Sequence, residues 1–371
     1  MAKLFSERGS WQMKKVLVLG LGDTYGGVEQ YFVTRLPYLL NQAQIDFAYP
    51  VGINIPYKDK LKGTNLVRIP KLSTPFRYYS YLKNIINIEH YDIVYSNQAF
   101  ANGILYLAVQ NSSAKLIVHA HNTRIDIPNN FKRNAMVLYH YISRLLFTHL
   151  IDCKYGCSRE ACEWVFGSSK KATIRKNSIN AKDYKFNNEI RNRVRADLNL
   201  QRKIVFGHIG RFSKQKNHDF LIDIFNVVHK KEPRSILLLI GDGELKESIL
   251  KKVQELKLSN NVLFLGKRSD VPSLLQAMDC FVLPSLFEGL GIVAIEAQAA
   301  GLPCVLSNNV PPEAKVIAST KFIDLRMSKD YWADELISSA QMPRIDAFNV
   351  VKESGYDLKT NMEKCIDFFH D

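Results

Sequence analysis

With 371 residues, 46% of them hydrophobic and 23% charged, the chain is too long for one ordinary core and too apolar for disorder, so two domains of about 150–200 residues are expected. No stretch reaches the roughly 18–20 uninterrupted apolar residues of a membrane span, and Met1–Gln12 has neither the apolar run nor the cleavage site of a secretory leader. The net charge of +14 comes from residues 1–200, which hold 28 Lys and Arg against 14 Asp and Glu, and such a basic half calls for an anionic partner: a phosphate-rich ligand, an anionic membrane face or nucleic acid.

In the first half, Val16–Leu19 reads as a strand leading into Gly20-Leu21-Gly22 and then Gly26-Gly27. A helix over about 28–41 follows, and then a strand at Asp46–Val51. Gly26-Gly27-Val28-Glu29 at a helix start suits close approach of backbone to phosphate; a plain glycine turn reads equally well. Gly20, Gly22 and Gly26, with Asp46 further on, also mimic a dinucleotide fingerprint, which keeps an NAD(P)-dependent oxidoreductase open as an alternative. Pro75–Lys83 interleaves aromatic residues with cations, and Lys132, Arg133 and Arg144 lie in the same half. Arg77 and Tyr78 there suit a phosphorylated acceptor or an anionic membrane interface; an amphipathic surface helix with its tyrosines turned inward fits as well. Tyr91–Tyr95 and Lys115–His119 are further strands. His119-Ala120-His121-Asn122 closes the second of them, with both imidazoles on one side. No further ligand is spaced to complete a zinc site, so no metal is expected. Cys153, Cys157, Cys162, Cys280, Cys304 and Cys365 form no Cys-x-x-Cys pair and suit free thiols in a reducing cytoplasm.

The polar run Asn187–Asp197 breaks the alternation and puts the domain junction between Ser178 and Leu200. Beyond it, strands at Ile204–Ile209, Ile236–Ile240, Val262–Leu265, Cys280–Leu283 and Cys304–Leu306 alternate with helices at 217–230, 244–257, 271–278 and 291–300. Helix 217–230 carries Phe220, Leu221, Ile224, Phe225 and Val228 on one stripe, with Asn217 as its expected N-cap. Near-continuous apolar strands separated by amphipathic helices mark a parallel sheet covered on both faces. The expected fold is α/β: two doubly wound, Rossmann-like domains in series with an interdomain cleft. Their ranges are 1–185 and 186–350, with 351–371 as a C-terminal helix returning to the first domain. In such folds ligands bind at the carboxyl ends of strands, so the loops that follow strands carry the chemistry.

Three loops qualify. In Gly210-Arg211…Lys216-Asn217-His218, two cations beside a helix start form a diphosphate clamp that needs no metal. Gly241-Asp242-Gly243-Glu244 also follows a strand and reads as a ligand contact or a tight turn. In Glu288-Gly289-Leu290-Gly291…Glu296, glycine amides approach a ligand, and two carboxylates, Glu288 in the loop and Glu296 about one turn into the helix, suit vicinal hydroxyls. The chain has no Asp-x-Asp triplet for a metal-bridged diphosphate.

Together with Ala300-Gly301-Leu302-Pro303, these loops resemble in order and spacing the GT-B-fold, retaining glycosyltransferases of family four. A weaker likeness extends to Gly26–Glu29, His119–Asn122, Cys157–Ala161 and Asn177–Asn180, so it spans nearly the whole chain. Within the family the sequence is most similar to bacterial capsular and exopolysaccharide assembly enzymes. The resemblance implies a metal-independent retaining transfer from a UDP-hexose or UDP-N-acetylhexosamine to a glycan or polyprenyl-diphosphate-linked acceptor, without a cofactor. The enzyme would be cytoplasmic, with a peripheral contact at the inner membrane face. It further implies that Arg211 and Lys216 hold the diphosphate and that Glu288 and the amides of Gly289–Gly291 contact the donor sugar. Gly210, Gly241 and Gly243 would line the donor, with Glu296 on its ribose. His121 would stand near the reacting sugar, Gly26-Gly27 would cover the phosphates, and His119, Asn122, Arg77 and Tyr78 would face the acceptor. Asn217 departs from the pattern, since many relatives have glycine there, and either His119 or His121 fits the histidine role. A nucleic-acid binder, the third reading, is suggested by the basic half alone and lacks any recognition motif.

Overall fold

Apolar strands that alternate with amphipathic helices can bury themselves only by stacking into helix-covered parallel sheets. That architecture is present in the computed structural model, which describes residues 13–23, 26–125, 127 and 129–364. Met1–Gln12, Cys365 and the tail of the expected returning helix lie outside the described residues. The chain divides into two compact units. One comprises residues up to His121 together with Asn134–Arg175; the other comprises Asn122–Arg133 and Lys176–Lys364.

In the first unit, β1 (Lys14–Leu19), β2 (Ala43–Pro50), β3 (Asn65–Ile69), β4 (Ile93–Gln98), β5 (Lys115–Ala120), β6 (Cys153–Gly156) and β7 (Thr173–Ile174) form a seven-stranded sheet. The order is β3-β2-β1-β4-β5-β6-β7 and every pairing is parallel. The helices between strands are α1 (Gly27–Leu39), α2 (Pro75–Ile88), α3 (Gly103–Gln110), α4 (Asn130–Phe147), whose first turn counts with the second unit, and α5 (Arg159–Phe166). Val16–Leu19 and all six residues of β4 are buried, as strands covered on both faces must be. The strand order reverses between β1 and β4, so the loops following those two strands diverge and leave a crevice. A Cβ on Gly20 would stand 2.2 Å from the carbonyl oxygen of Asn97, so only glycine lets the loop after β1 pass the end of β4. Glu29, in the first turn of α1, holds that loop: its carboxylate accepts from the Gly22 amide at 2.9 Å and from the Gly26 amide at 3.0 Å.

The second unit repeats the plan with β8 (Ile204–Ile209), β9 (Ser235–Ile240), β10 (Val262–Gly266), β11 (Cys280–Leu283), β12 (Cys304–Ser307) and β13 (Thr320–Ile323). All are parallel, in the order β10-β9-β8-β11-β12-β13, and the switch falls between β8 and β11. Its helices are α6 (Ala181–Tyr184), α7 (Asn188–Asp197), α8 (His218–Lys231), α9 (Lys246–Glu255), α10 (Val271–Ala277), α11 (Ile292–Ala299), α12 (Lys329–Ala340), α13 (Phe348–Glu353) and α14 (Leu358–Lys364). On α8, Leu221, Ile224, Phe225 and Val228 are buried with Ile222, whereas Phe220 is only partly buried and sets its ring edge-on to Trp332 of α12.

The run Asn187–Asp197 forms helix α7 with its N-cap. Asn187 caps α7, accepting from the Ile190 amide at 3.0 Å, and Arg191 and Arg195, one turn apart, both grip Asp279 after α10. Arg191 and Arg195 also donate to the carbonyls of Gln276, Ala277 and Met278. A helix this polar is held by caps and ion pairs rather than by an apolar stripe, which is why its periodicity was silent. Beyond α12, α13 and α14 count with the second unit, where the amide of Leu358 donates to the carbonyl of Ile179 at 2.8 Å.

Candidate functional site

In the second unit the loops after β8 and β11 flank the switch point, and the structure locks them to each other. Leu286 donates its amide to the Gln215 carbonyl at 2.8 Å, and the Asn217 side chain donates to the Pro284 carbonyl at 3.1 Å. Asn217 stands at the N-cap position of α8 without capping it by its side chain. Its backbone is left-handed, at φ 56° and ψ 42°. Asparagine is the residue that best tolerates this region after glycine, which accounts for the departure from the family pattern.

The centre of the loop pair is Glu288, which is nearly fully buried. Lys216 Nζ lies 2.6 Å from Glu288 Oε1, the same oxygen accepts from Ser285 Oγ at 2.6 Å, and Gln215 Nε2 donates to Oε2 at 3.2 Å. Gln215 also donates to the Phe287 carbonyl at 3.0 Å, and Thr123 donates its hydroxyl to the Glu288 carbonyl at 3.1 Å. A buried carboxylate is tolerable only with such a full set of donors.

The loop after β9 packs against this pair. A Cβ on Gly241 would fall 2.0 Å from the Gly210 carbonyl oxygen, and that glycine has φ +138°. Phe212 donates its amide to the Asp242 carbonyl at 3.0 Å. Arg211 projects outward, its guanidinium bonded to Glu244 Oε2 at 3.1–3.2 Å. Gly289, Leu290 and Gly291 lead into the first turn of α11. Glu296 on that helix is buried and accepts from the Tyr184 hydroxyl at 2.9 Å.

Lys216 and Glu288 therefore meet directly, whereas Arg211 and Glu296 take Glu244 and Tyr184 as partners. Sequence reasoning passed over Gln215, Ser285 and Tyr184. Gln215 sits inside a loop already marked by its cations and Ser285 three residues before Glu288. Tyr184, 112 positions from Glu296, carries no local signal.

Behind Lys216 lie two buried imidazoles. His208 Nδ1 is 2.9 Å from the Val282 carbonyl oxygen, and His218 stacks on Phe212 with centroids 4.1 Å apart. Burial, helped by His208 and Lys216, pushes His218 down to about 2, and burial takes His208 to about 4.

In the first unit, His119 is fully buried and turned inward, its Nδ1 2.8 Å from the Tyr95 hydroxyl. His121 at the end of β5 is only partly buried, with its Nε2 2.8 Å from Asn97 Oδ1. Because Asn97 Nδ2 donates to the Leu19 carbonyl, Oδ1 must accept, so His121 carries its proton on Nε2. Burial, with the positive charge of Arg35, pushes His121 down to about 3 and keeps it neutral. Tyr78 is buried beside Tyr139, which puts this tyrosine inward; Arg77 on the same helix is exposed. Asn122 accepts from the Thr123 amide with its side chain. Asp46 does not serve a dinucleotide. It lies in the middle of β2, paired with Leu17 and Asn65, and its carboxylate accepts from the Tyr91 hydroxyl at 2.7 Å and the Asn65 amide group at 2.8 Å. A ribose-binding acid stands at the end of its strand, so the oxidoreductase reading loses its second element.

Among the described residues no three His, Cys, Asp or Glu side chains gather closely enough to hold a metal ion, and no helix is long and apolar enough to cross a membrane.

Residues 190–339 match the family model for glycosyl transferases group 1. Along 96% of both chains the sequence is 26% identical to EpsF of Bacillus subtilis (strain 168), a protein named for glycosyltransferase activity. It is 27% identical, over 66% of this chain and 64% of the other, to an Escherichia coli UDP-Gal:alpha-D-GlcNAc-diphosphoundecaprenol alpha-1,3-galactosyltransferase. Among solved structures, HepE of Anabaena in complex with UDP-glucose superposes with a TM-score of 0.76 at 19% identity, covering 95% of this chain and 99% of the other, a likeness of fold.

Proposed function

We propose that this chain, a group 1 glycosyltransferase of the GT-B fold, transfers a hexose or N-acetylhexosamine from a UDP-sugar, with retention and without a metal, to a glycan or lipid-diphosphate-linked acceptor in surface polysaccharide synthesis. The observation that carries this reading is the Lys216–Glu288 pair at the switch point of the second unit. An ammonium held at a fixed place by a buried carboxylate is preorganised for an anion, and Arg211 on the adjoining loop supplies a planar, permanently charged partner for phosphate.

In this reading the diphosphate lies against Lys216, Arg211 and the backbone of Gly210, Gly241 and Gly243. The sugar meets the amides of Gly289–Gly291, and the ribose hydroxyls meet Glu296. Glu288 works mainly by fixing Lys216 and the loop. The bond from the anomeric carbon to the diphosphate oxygen breaks, and the acceptor hydroxyl bonds to that carbon from the same face. Its proton passes to the departing diphosphate oxygen, so no strong enzymatic base is needed. The neutral His121, with Nε2–H directed at Asn97, stays uncharged at pH 7 and serves as a hydrogen-bonding group rather than a charge. The acceptor is assigned to the crevice of the first unit, beside His121. The UDP and the lipid-diphosphate acceptor are the chemistry named for the Escherichia coli relative.

Calorimetric titration of UDP, GDP and ADP, followed by NMR of the anomeric proton in the product of the preferred UDP-sugar with EDTA present, tests the reading. Binding of UDP alone, an α product from an α donor and indifference to EDTA are expected. Tighter binding of GDP or ADP, an inverted product or loss of transfer in EDTA would each overturn the corresponding part.

A further inference from the structure

Two serines in series hold the Glu288 carboxylate. Ladder pairing between β11 and β12 runs to Leu283 with Leu306, and Pro284 then takes the chain out of the sheet. Beyond that pair Ser307 Oγ donates to the Ser285 carbonyl at 2.6 Å, so the two segments stay tied where the ladder stops. Ser285 Oγ in turn donates to Glu288 Oε1 at 2.6 Å. Both serines are fully buried, so neither hydroxyl has bulk water as an alternative partner.

A carboxylate oxygen accepts along two lone pairs in the carboxylate plane. Ser285 takes one of those directions on Oε1, and Gln215, bonded to Oε2 at 3.2 Å, fixes the plane. Lys216 Nζ, 2.6 Å from Oε1, is left the other direction. Among the described residues that is the one hydrogen bond Lys216 makes, so two of its three ammonium protons are open to ligand oxygens. We infer that Ser285 is a positioning residue for the donor diphosphate: by occupying one side of Glu288 Oε1 it decides where the Lys216 ammonium points, and Ser307 fixes Ser285. This rests on the reading that Lys216 meets the diphosphate. In Ser285→Ala the ammonium can swing to the vacant lone pair, and its remaining protons then turn away from the ligand.

Calorimetric titration of the full-length chain with UDP, and with uridine, which lacks the diphosphate, tests this. Ser285→Ala is expected to weaken UDP on the order of tenfold and to leave uridine within about twofold. Lys216→Ala should show the same pattern, and adding Ser285→Ala to it should weaken UDP no further, because Ser285 acts through that lysine. Ser285→Cys, a near-isosteric change to a weaker donor, carries the comparison where Ser285→Ala does not fold, and circular dichroism reports the fold. Unchanged UDP affinity in Ser285→Ala, equal loss of UDP and uridine, or additive losses in the double variant would each overturn the inference. Equal loss would make Ser285 a packing residue of its loop. Failure of the donor reading shows separately, as a wild type that prefers GDP or ADP, and that diphosphate against its nucleoside then decides Ser285. A wild type without affinity for any of the three removes both.

Discussion

Lys216 and Glu288, 72 residues apart in the chain, meet at 2.6 Å with both side chains largely withdrawn from water, whereas Arg211 and Glu244 pair at 3.1 Å in the open. The two cations assigned to one diphosphate thus have opposite structural weight. Lys216→Ala strands a buried carboxylate and should cost about 3 kcal/mol of stability. Arg211→Ala removes a surface pair worth at most about 1 kcal/mol. Both should cut sugar transfer on the order of 100-fold, because the proposed mechanism uses both charges to stabilise the leaving group. Thermal unfolding and initial-rate assays on the two variants separate stability from catalysis. Equal destabilisation would show that the burial argument is wrong.

Tyr184 donates to Glu296 and holds the carboxylate proposed for the ribose. Tyr184→Phe removes that bond without removing the ring. The expected result is a several-fold rise in KM for the donor with kcat little changed, and a smaller discrimination between the UDP-sugar and its 2′-deoxyuridine analogue. A purely structural tyrosine would change the melting temperature and leave that discrimination alone.

Asn217 provides a test of backbone conformation separated from chemistry. Asn217→Gly keeps the left-handed turn and loses only the bond to the Pro284 carbonyl, whereas Asn217→Ala loses the bond and strains the backbone. Alanine should therefore be less stable than glycine by about 1 kcal/mol in denaturant unfolding. Equal midpoints would mean that the turn is not held left-handed.

The strands and apolar helices of the second unit were legible because their cores are continuous and their periods clean: Ile204–Ile209 and Cys280–Leu283 fall where the apolar runs put them. Helix α7 was not, because Arg191 and Arg195 stabilise it through Asp279, a partner more than 80 residues away that no local pattern reveals. The same reason hides Tyr184 from a reading of Glu296. Loops at strand ends marked where to look, since topology alone opens a crevice at a switch point. Which carboxylate each cation would take depended on the register of the loops after β8, β9 and β11. Asp46 misled for a related reason: its distance from the glycines fits a fingerprint, but its place in the middle of β2 gives its carboxylate to Tyr91 and Asn65.

Acidification should unfold the second unit through its histidines. His208 and His218 are buried and neutral, held down to about 4 and about 2 by burial, against about 6.5 in the unfolded chain. The unfolded state therefore binds more protons below pH 6.5, and stability falls as pH drops from that value toward the folded pKa. Between pH 8 and pH 5 each histidine should remove about 2 kcal/mol. His218 makes no hydrogen bond and contributes only its ring, stacked on Phe212 and edge-on to His208. His218→Phe keeps the stack and deletes the titration. The variant should match wild type near pH 8 within the strain of a slightly larger ring, and it should lose markedly less melting temperature by pH 5. Parallel losses in the two proteins would mean that His218 is protonated in the folded state, and that its burial is not what sets the acid limit.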